Sequence, residues 1–435
     1  MKKTRLLATA AIGLAAALSL TACSGGGSNN ATTSASGTAT SAAPAGASIR
    51  VWLVGTDTPQ AARDYLKTTF ETQNPGSTLA IEEQQWSGLV DKYTTSLSGS
   101  DAPDVVEIGN TQAPTFTSTG FFTDLTSKYD ELGGSDLLPG FVDIGSYDGK
   151  FYAAPYYSGA RVITYSSQVF TGTAPTTLDA YLQAAKDNTT DARSGLYVAG
   201  KDWRNGMTYV WAEGAEIAKF ADGKWKAGFN TPEGIAGLTT YQNFFKDGIS
   251  KAPTDALEST NQTTVFCEGN IAFVPGPSWT SGVLQSTKTT PPGCPDTFAK
   301  AADLHQFAVP GKTAGTYAPA LAGGSNIAIP AKSTHQDLAY AALKIMLSDD
   351  YQKVLAEAGL VPAGVSQAKF MPANEFSQAS ANAASVAKLT PASPKWSDVE
   401  AQNILEDGFS KIAQGQDVAT VAADMDSKIE SILNS

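Results

Sequence analysis

Ser48-Ile49-Arg50-Val51-Trp52-Leu53-Val54 reads as a short β-strand, and the sixty residues or so after it decide the fold. Gln60 to Gln73 has helical spacing, with Tyr65, Leu66, Thr69 and Phe70 on one face, and Asn74-Pro75-Gly76 stops it. Thr78 to Gln84 reads as a second strand. Trp86 to Leu97 reads as a helix, with Leu89, Val90, Tyr93 and Leu97 in register, and Asp104 to Ile108 as a third strand. Strand-helix-strand-helix-strand order predicts a parallel sheet with helices on its faces, the α/β class.

Upstream, Ser24 to Ala47 offers almost nothing to bury and reads as a flexible stalk. Before it, Lys2, Lys3 and Arg5 precede the apolar run Leu6 to Leu20 and the tetrapeptide Leu20-Thr21-Ala22-Cys23. This is the pattern of a bacterial lipoprotein signal. It predicts a signal peptide over 1–22 and a lipid-anchored stalk over 23–47. The Cys23 thiol would carry the acyl chains, on the extracellular side of the cell membrane, or the periplasmic side where an outer membrane exists. Formal net charge is −12, which argues against nucleic acid as a partner. The length after cleavage predicts two domains and a monomer tethered by its lipid. Cys267 and Cys294, the other two cysteines, are expected to pair outside the cytoplasm, the alternative being two buried thiols.

Downstream, Arg161–Tyr165 and Ile271–Val274 are strand candidates. Ser333-Thr334-His335-Gln336 reads as a capping box before Leu338, Ala341, Ala342 and Ile345. Further helices are predicted over Asp350–Ala358, Ser397–Ala413 and Asp417–Leu433. The chain has no Gly-x-Ser-x-Gly, Walker loop, His-Glu-x-x-His or Cys-x-x-Cys, and only two histidines, His305 and His335. Triad catalysis, a histidine zinc site and any cofactor are therefore not expected. A carboxylate pair for glycoside hydrolysis leaves no motif and stays open.

Aromatic and polar residues cluster where strands end: Thr56-Asp57, Gln84-Gln85-Trp86, Asn110-Thr111-Gln112, Tyr156-Tyr157, Asp202-Trp203-Arg204, Trp279 and Trp396. Ligands of open α/β sheets bind beyond the carboxyl ends of the strands. A pyranose has an apolar face that stacks on an indole and a rim of hydroxyls that matches Asp, Asn, Gln and Arg. Trp86, Trp279 and Trp396 sit where elements begin or turns end and read as platforms. Tyr209 and Trp211 fit core packing, and Trp225 reads as a surface hairpin residue.

Five segments, in order, resemble the carbohydrate-binding extracellular proteins of ABC importers, the maltose-binding-protein-like group. They are Ala102–Asn110, Gly120–Leu125, Gly149–Tyr157, Gly269–Phe273 and Ala322–Pro330. The resemblance implies a two-lobed periplasmic-binding-protein-like fold, its lobes joined by crossover hinges around a ligand cleft. Lobe one would span 48–156 with 275–325, and lobe two 157–274 with 326–435. It implies a ligand site of Asp57, Trp86, Asn110, Gln112, Tyr157, Arg161, Trp279, Gly324, Ser325 and Trp396. It also implies no enzyme activity, a carbohydrate ligand, and a membrane permease driven by a separate ATPase. Two alternatives remain. One is a binder of an amino acid or peptide, for which Arg161 or Arg204 with Asp57 or Glu213 could form a charge pair. The other is a lipid-anchored glycosidase.

Overall fold

The structure, a computed structural model, describes residues 46–86 and 88–435; the signal peptide, Cys23 and nearly all of the stalk lie outside the described residues. It opens with strand β1 (Ser48–Val54), helix α1 (Gln60–Gln73), strand β2 (Thr78–Gln84), helix α2 (Leu89–Ser98) and strand β3 (Val105–Gly109). β1 pairs in parallel with β2 on one side and β3 on the other. α1 buries Ala62, Leu66 and Phe70, one residue per turn, and its last carbonyls are met by the Asn74 backbone N–H on Phe70. α2 starts later than its apolar spacing predicts. Gly88 holds φ at +70°, which a helix interior does not allow, so Trp86 stays in the loop before it.

Beyond β3 the sheet turns antiparallel. Ala322–Ala328 pairs with β3, and Ala153–Ser166 pairs with Ala322–Ala328. Ala153–Ser166 is fourteen residues long and buried throughout. Its second half pairs with Ile271–Pro277 and Leu304–Phe307. One strand therefore runs through both halves of the molecule: Ala154, Tyr156 and Tyr157 pack in the first core, Ile163 and Tyr165 in the second.

These cores correct the expected lobe boundaries. Leu338, Leu343, Tyr351 and Leu355, expected in the second lobe, pack with Ile49, Leu66 and Phe70. Leu284 and Leu304, expected in the first, pack with Tyr197 and Phe266. Only the helices from Trp396 onward join Trp203, Tyr241 and Phe273 in the second core. The C-terminal third thus divides between the lobes. Its helix Gln336–Leu347 covers α1 rather than continuing into lobe two.

Two local expectations also change. Ser333 caps nothing at Gln336: its hydroxyl donates to Asp104 at 2.6 Å and accepts the His335 N–H at 3.1 Å, and His335 stands at the N-cap. The helix expected over Ser397–Ala413 breaks at Asn403, whose φ is +51°, into Trp396–Ala401 and Ile404–Ala413. Helix Val418–Leu433 forms as expected, with the Asp417 carboxylate accepting from the Thr420 N–H at 2.9 Å. Among the described residues no helix is long and apolar enough to cross a membrane.

Cys267 and Cys294 are bonded, with Cα atoms 5.6 Å apart, and they tie the chain around Thr287–Pro295 to the end of helix Gln262–Cys267. The bridge closes a separation of 27 residues. By the loop-entropy relation, replacing both cysteines with alanine lowers unfolding free energy by about 3.5 kcal/mol, read from urea denaturation under non-reducing conditions. An unchanged midpoint would show that the crosslink does not stabilise the fold.

Candidate functional site

A cavity of about 420 Å³ opens where the ends of β1, β2 and β3 face the middle of Ala153–Ser166. Eight of the ten expected site residues line it: Asp57, Trp86, Asn110, Gln112, Tyr157, Arg161, Trp279 and Gly324. The loop after β1 is set by Gly55, with φ +59°, and by Arg63, which donates to the Gly55 carbonyl at 2.6 Å and the Thr58 carbonyl at 3.0 Å. That loop delivers Asp57. The loop after β2 delivers Trp86, which is 42% exposed and donates its indole N–H to Asp57 at 3.2 Å. Burial raises the Asp57 pKa, partly offset by that bond and by Arg63.

The two tryptophans rest on glycines. A Cβ on Gly109 would meet Trp86 and Gln112, and one on Gly159 would run into the Trp279 ring. Gly323 lies under the same ring, and Gly324, at φ +129°, takes a backbone shape other residues avoid. Large rings lying over bare backbone leave their outer surface to the cavity. Asn110, by contrast, is used by the fold: its side chain donates to the Ala322 carbonyl at 2.7 Å, locking β3 to the neighbouring strand.

The far wall is charged. Arg161 makes a two-point pair with Glu258, one contact at 3.1 Å, and donates to Asn205 at 3.2 Å. Burial would raise the Glu258 pKa, but Arg161 and Arg204 outweigh it and hold it below the usual range. Arg204 lies over the Trp203 ring, 4.8 Å from its centroid, and 3.9 Å from Glu406. Glu400, on helix Trp396–Ala401, accepts from Thr111 at 3.1 Å and Gln112 at 3.3 Å, so a second-lobe carboxylate is bonded to the first-lobe wall.

Two expected residues fall elsewhere. Trp396 is fully buried, because its helix turns the indole into the second core, to which Val399 and Phe409 also belong. Ser325 is fully buried beneath the cavity, its hydroxyl 3.4 Å from that of Tyr157. There Tyr157 donates to Glu107 at 2.9 Å and the Val54 N–H donates to the same carboxylate at 2.8 Å. Glu213 pairs with Lys312 at 2.7 Å, away from the cavity. Glu258, Gly159 and Gly323 were not expected in the site. Glu258 lies in an irregular loop before Ser259 and Asn261, both at positive φ, and had no periodicity to flag it. His305 bonds Glu375 at 2.8 Å and His335 bonds Asp104 at 3.2 Å, and among the described residues no group of three or more His, Cys, Asp or Glu is arranged to hold a metal.

The family profile for bacterial extracellular solute-binding proteins matches residues 65–384. The chain is 31% identical over 398 residues to the diacetylchitobiose binding protein DasA of Streptomyces coelicolor, covering 89% of this chain and 90% of that protein. Its fold is similar to the GacH receptor of Streptomyces glaucescens, solved unliganded and with acarbose, at TM-score 0.77 and 19% identity, over 89% of this chain and 99% of the other. It is also similar to an ABC substrate-binding protein of Listeria monocytogenes in complex with cycloalternan, at TM-score 0.73 and 20% identity, over 89% and 99%.

The Glu107 carboxyl under the cavity is pushed up to about 7 by burial, against the lowering effect of its three hydrogen-bond donors. A carboxyl that holds its proton more tightly folded than unfolded stabilises fully below its unfolded value. That contribution fades as pH rises from about 4.5 to about 7. Glu107→Gln should therefore shrink the stability lost between about pH 5 and about pH 8 by on the order of 2 kcal/mol, measured by urea unfolding at both. An identical loss in variant and wild type would refute the assignment.

Proposed function

The chain belongs to the bacterial extracellular solute-binding protein family, and on that premise we propose that it is the substrate-binding component of an ABC importer, taking a sugar or oligosaccharide between its lobes. The observation that carries this is the pair of tryptophans, Trp86 and Trp279, set on glycine floors and both lining a cavity rimmed by hydrogen-bonding groups. A sugar's apolar face stacks on such rings while its hydroxyls reach Asp57, Gln112 and Arg204. The relatives, a diacetylchitobiose binder and an acarbose-binding receptor, support the same ligand class.

A ligand that touches both lobes favours the closed arrangement by its differential affinity, and the closed form is what a permease would read. Transport energy would come from a separate ATPase. Lipid on Cys23 would keep the binder near its permease and raise the effective concentration there. A glycosidase fits less well: Glu258, the second carboxylate of the cavity, turns both oxygens to Arg161, and the relative matched over nine-tenths of its length is a binding protein. An amino acid fits less well too, since Arg161 already directs its paired N–H groups at Glu258.

The test is a thermal-shift screen of the purified protein against mono- and oligosaccharides, amino acids and peptides. A ligand at 100 times its Kd adds about 2.7 kcal/mol. Trp86→Ala and Trp279→Ala should each weaken sugar binding by about tenfold or more with the melting temperature retained. Trp396→Ala should instead cost stability, about 3–5 kcal/mol. No shift with any carbohydrate would overturn the proposal.

A further inference from the structure

Beside the cavity the two lobes are joined by hydrogen bonds that run from protein to protein. Thr111, Gln112 and Thr115 stand on the first lobe, just after β3 and in the short helix Ala113–Ser118, whose Ala113 and Phe116 share a core with Val54 and Leu89. Helix Trp396–Ala401 stands on the second lobe, since Trp396 and Val399 belong to the second core. One oxygen of Glu400 accepts both the Thr111 hydroxyl, at 3.1 Å, and the Gln112 side-chain amide, at 3.3 Å. Thr115 donates to the Pro394 carbonyl at 2.9 Å and is bonded to the Ser397 hydroxyl at 2.8 Å. Thr111 and Gln112 line the cavity; Thr115, Ser397 and Glu400 do not. The chain itself crosses between lobes close by. Ala387 and Leu389 still pack on the first-lobe side and Trp396 on the second, so residues 390–395 make the crossing, stiffened by Pro391 and Pro394.

We infer that Glu400 and Thr115 form a cross-lobe latch that holds the cleft closed by protein contacts alone, with Glu400 also positioning Thr111 and Gln112 on the cavity wall. Opening the cleft would pull residues of two different cores apart and return the Glu400 carboxylate and its donors to water, so only the net value of each bond counts. For a bond to a charged group that net value is about tenfold or more in an equilibrium constant. Because Glu400 and Thr115 do not reach the ligand, they favour closure equally with and without one. A bound solute adds its differential affinity on top of that bias. The latch therefore sets the fraction of unloaded protein that is open to receive a solute, which is a control on loading rather than on recognition. The opposing arrangement is a pivot, in which the same bonds lie close enough to the crossing to survive in both the open and the closed form.

Small-angle X-ray scattering of the purified protein without added solute separates the two, and it does so whatever the solute is. The wild type should give the compact profile of the arrangement described above. Glu400→Ala and Thr115→Val should each shift the closed-to-open ratio toward open by about tenfold, and the double variant further still, read as a larger radius of gyration. Glu400→Gln keeps an acceptor for Thr111 and should recover most of the shift, which a general loosening of the fold would not do. Melting curves check folding, and Thr115→Val, which trades a hydroxyl for a methyl, carries the test should Glu400→Ala fail to fold. A wild type that already scatters as the open form overturns the inference. So does a double variant that melts normally and keeps the wild-type radius, since the bonds would then be a pivot.

Discussion

Everything in the cleft depends on one strand, Ala153–Ser166, buried along its whole length and shared by two hydrophobic cores. A strand exposes alternate residues to opposite faces. Tyr157, Gly159 and Arg161 share one face, and all three line the cavity. On the other face, Ala160 and Val162 pack against Ala379 and Ala383 of the helix Glu375–Ala384. The period of two therefore sets the order of the cleft floor: an aromatic hydroxyl, a gap for the Trp279 ring, then a guanidinium. A strand that pairs with lobe one at its start and lobe two at its end also gives the lobes a common element about which to move.

Charge is handled in two ways around that strand. Glu107 is satisfied locally, with the Val54 N–H and the Tyr157 hydroxyl donating to it inside the first core. The second-lobe wall uses a network instead. Arg161, Glu258, Asn205 and Asp202 form a chain in which Asn205 donates to Asp202 at 2.6 Å and accepts from Arg161 at 3.2 Å. Burying so many ions costs solvation, and only a network that meets nearly every lone pair offsets it. The result is rigidity: Arg161 and Glu258 are held before a ligand arrives, so little ordering entropy is lost on binding.

Legibility here depends on whether a feature leaves a trace along the chain. The first five elements were legible because each carries local periodicity, and the ends of their strands pointed to Asp57, Trp86, Asn110 and Gln112, all of which line the cavity. Trp396 misled because a tryptophan at a helix start has the same sequence context whether it turns to solvent or into a core. Only tertiary packing decides, and here the second core took it. The lobe assignment of the C-terminal third misled for a related reason: the face of Gln336–Leu347 shows that it packs on something, not that this is α1.

Glu258 and Gly159 were illegible in a deeper sense. A glycine in a strand reads as a weak strand residue, and an acid in a loop reads as a solvated charge. Each gains its meaning from a residue far along the chain. Gly159 is bare because the Trp279 ring lies on it, and Glu258 is buried because Arg161 pairs with it. Both partners line the cavity, and both were named beforehand, Trp279 from its place at a turn and Arg161 from the family resemblance. The two that accommodate them were not, since a platform shows by its own chemistry and a hinge arginine by its place in the family pattern, while their supports are defined only by contact. In this cleft the recognising groups are thus readable one at a time, and the groups that hold them in place are readable only in pairs.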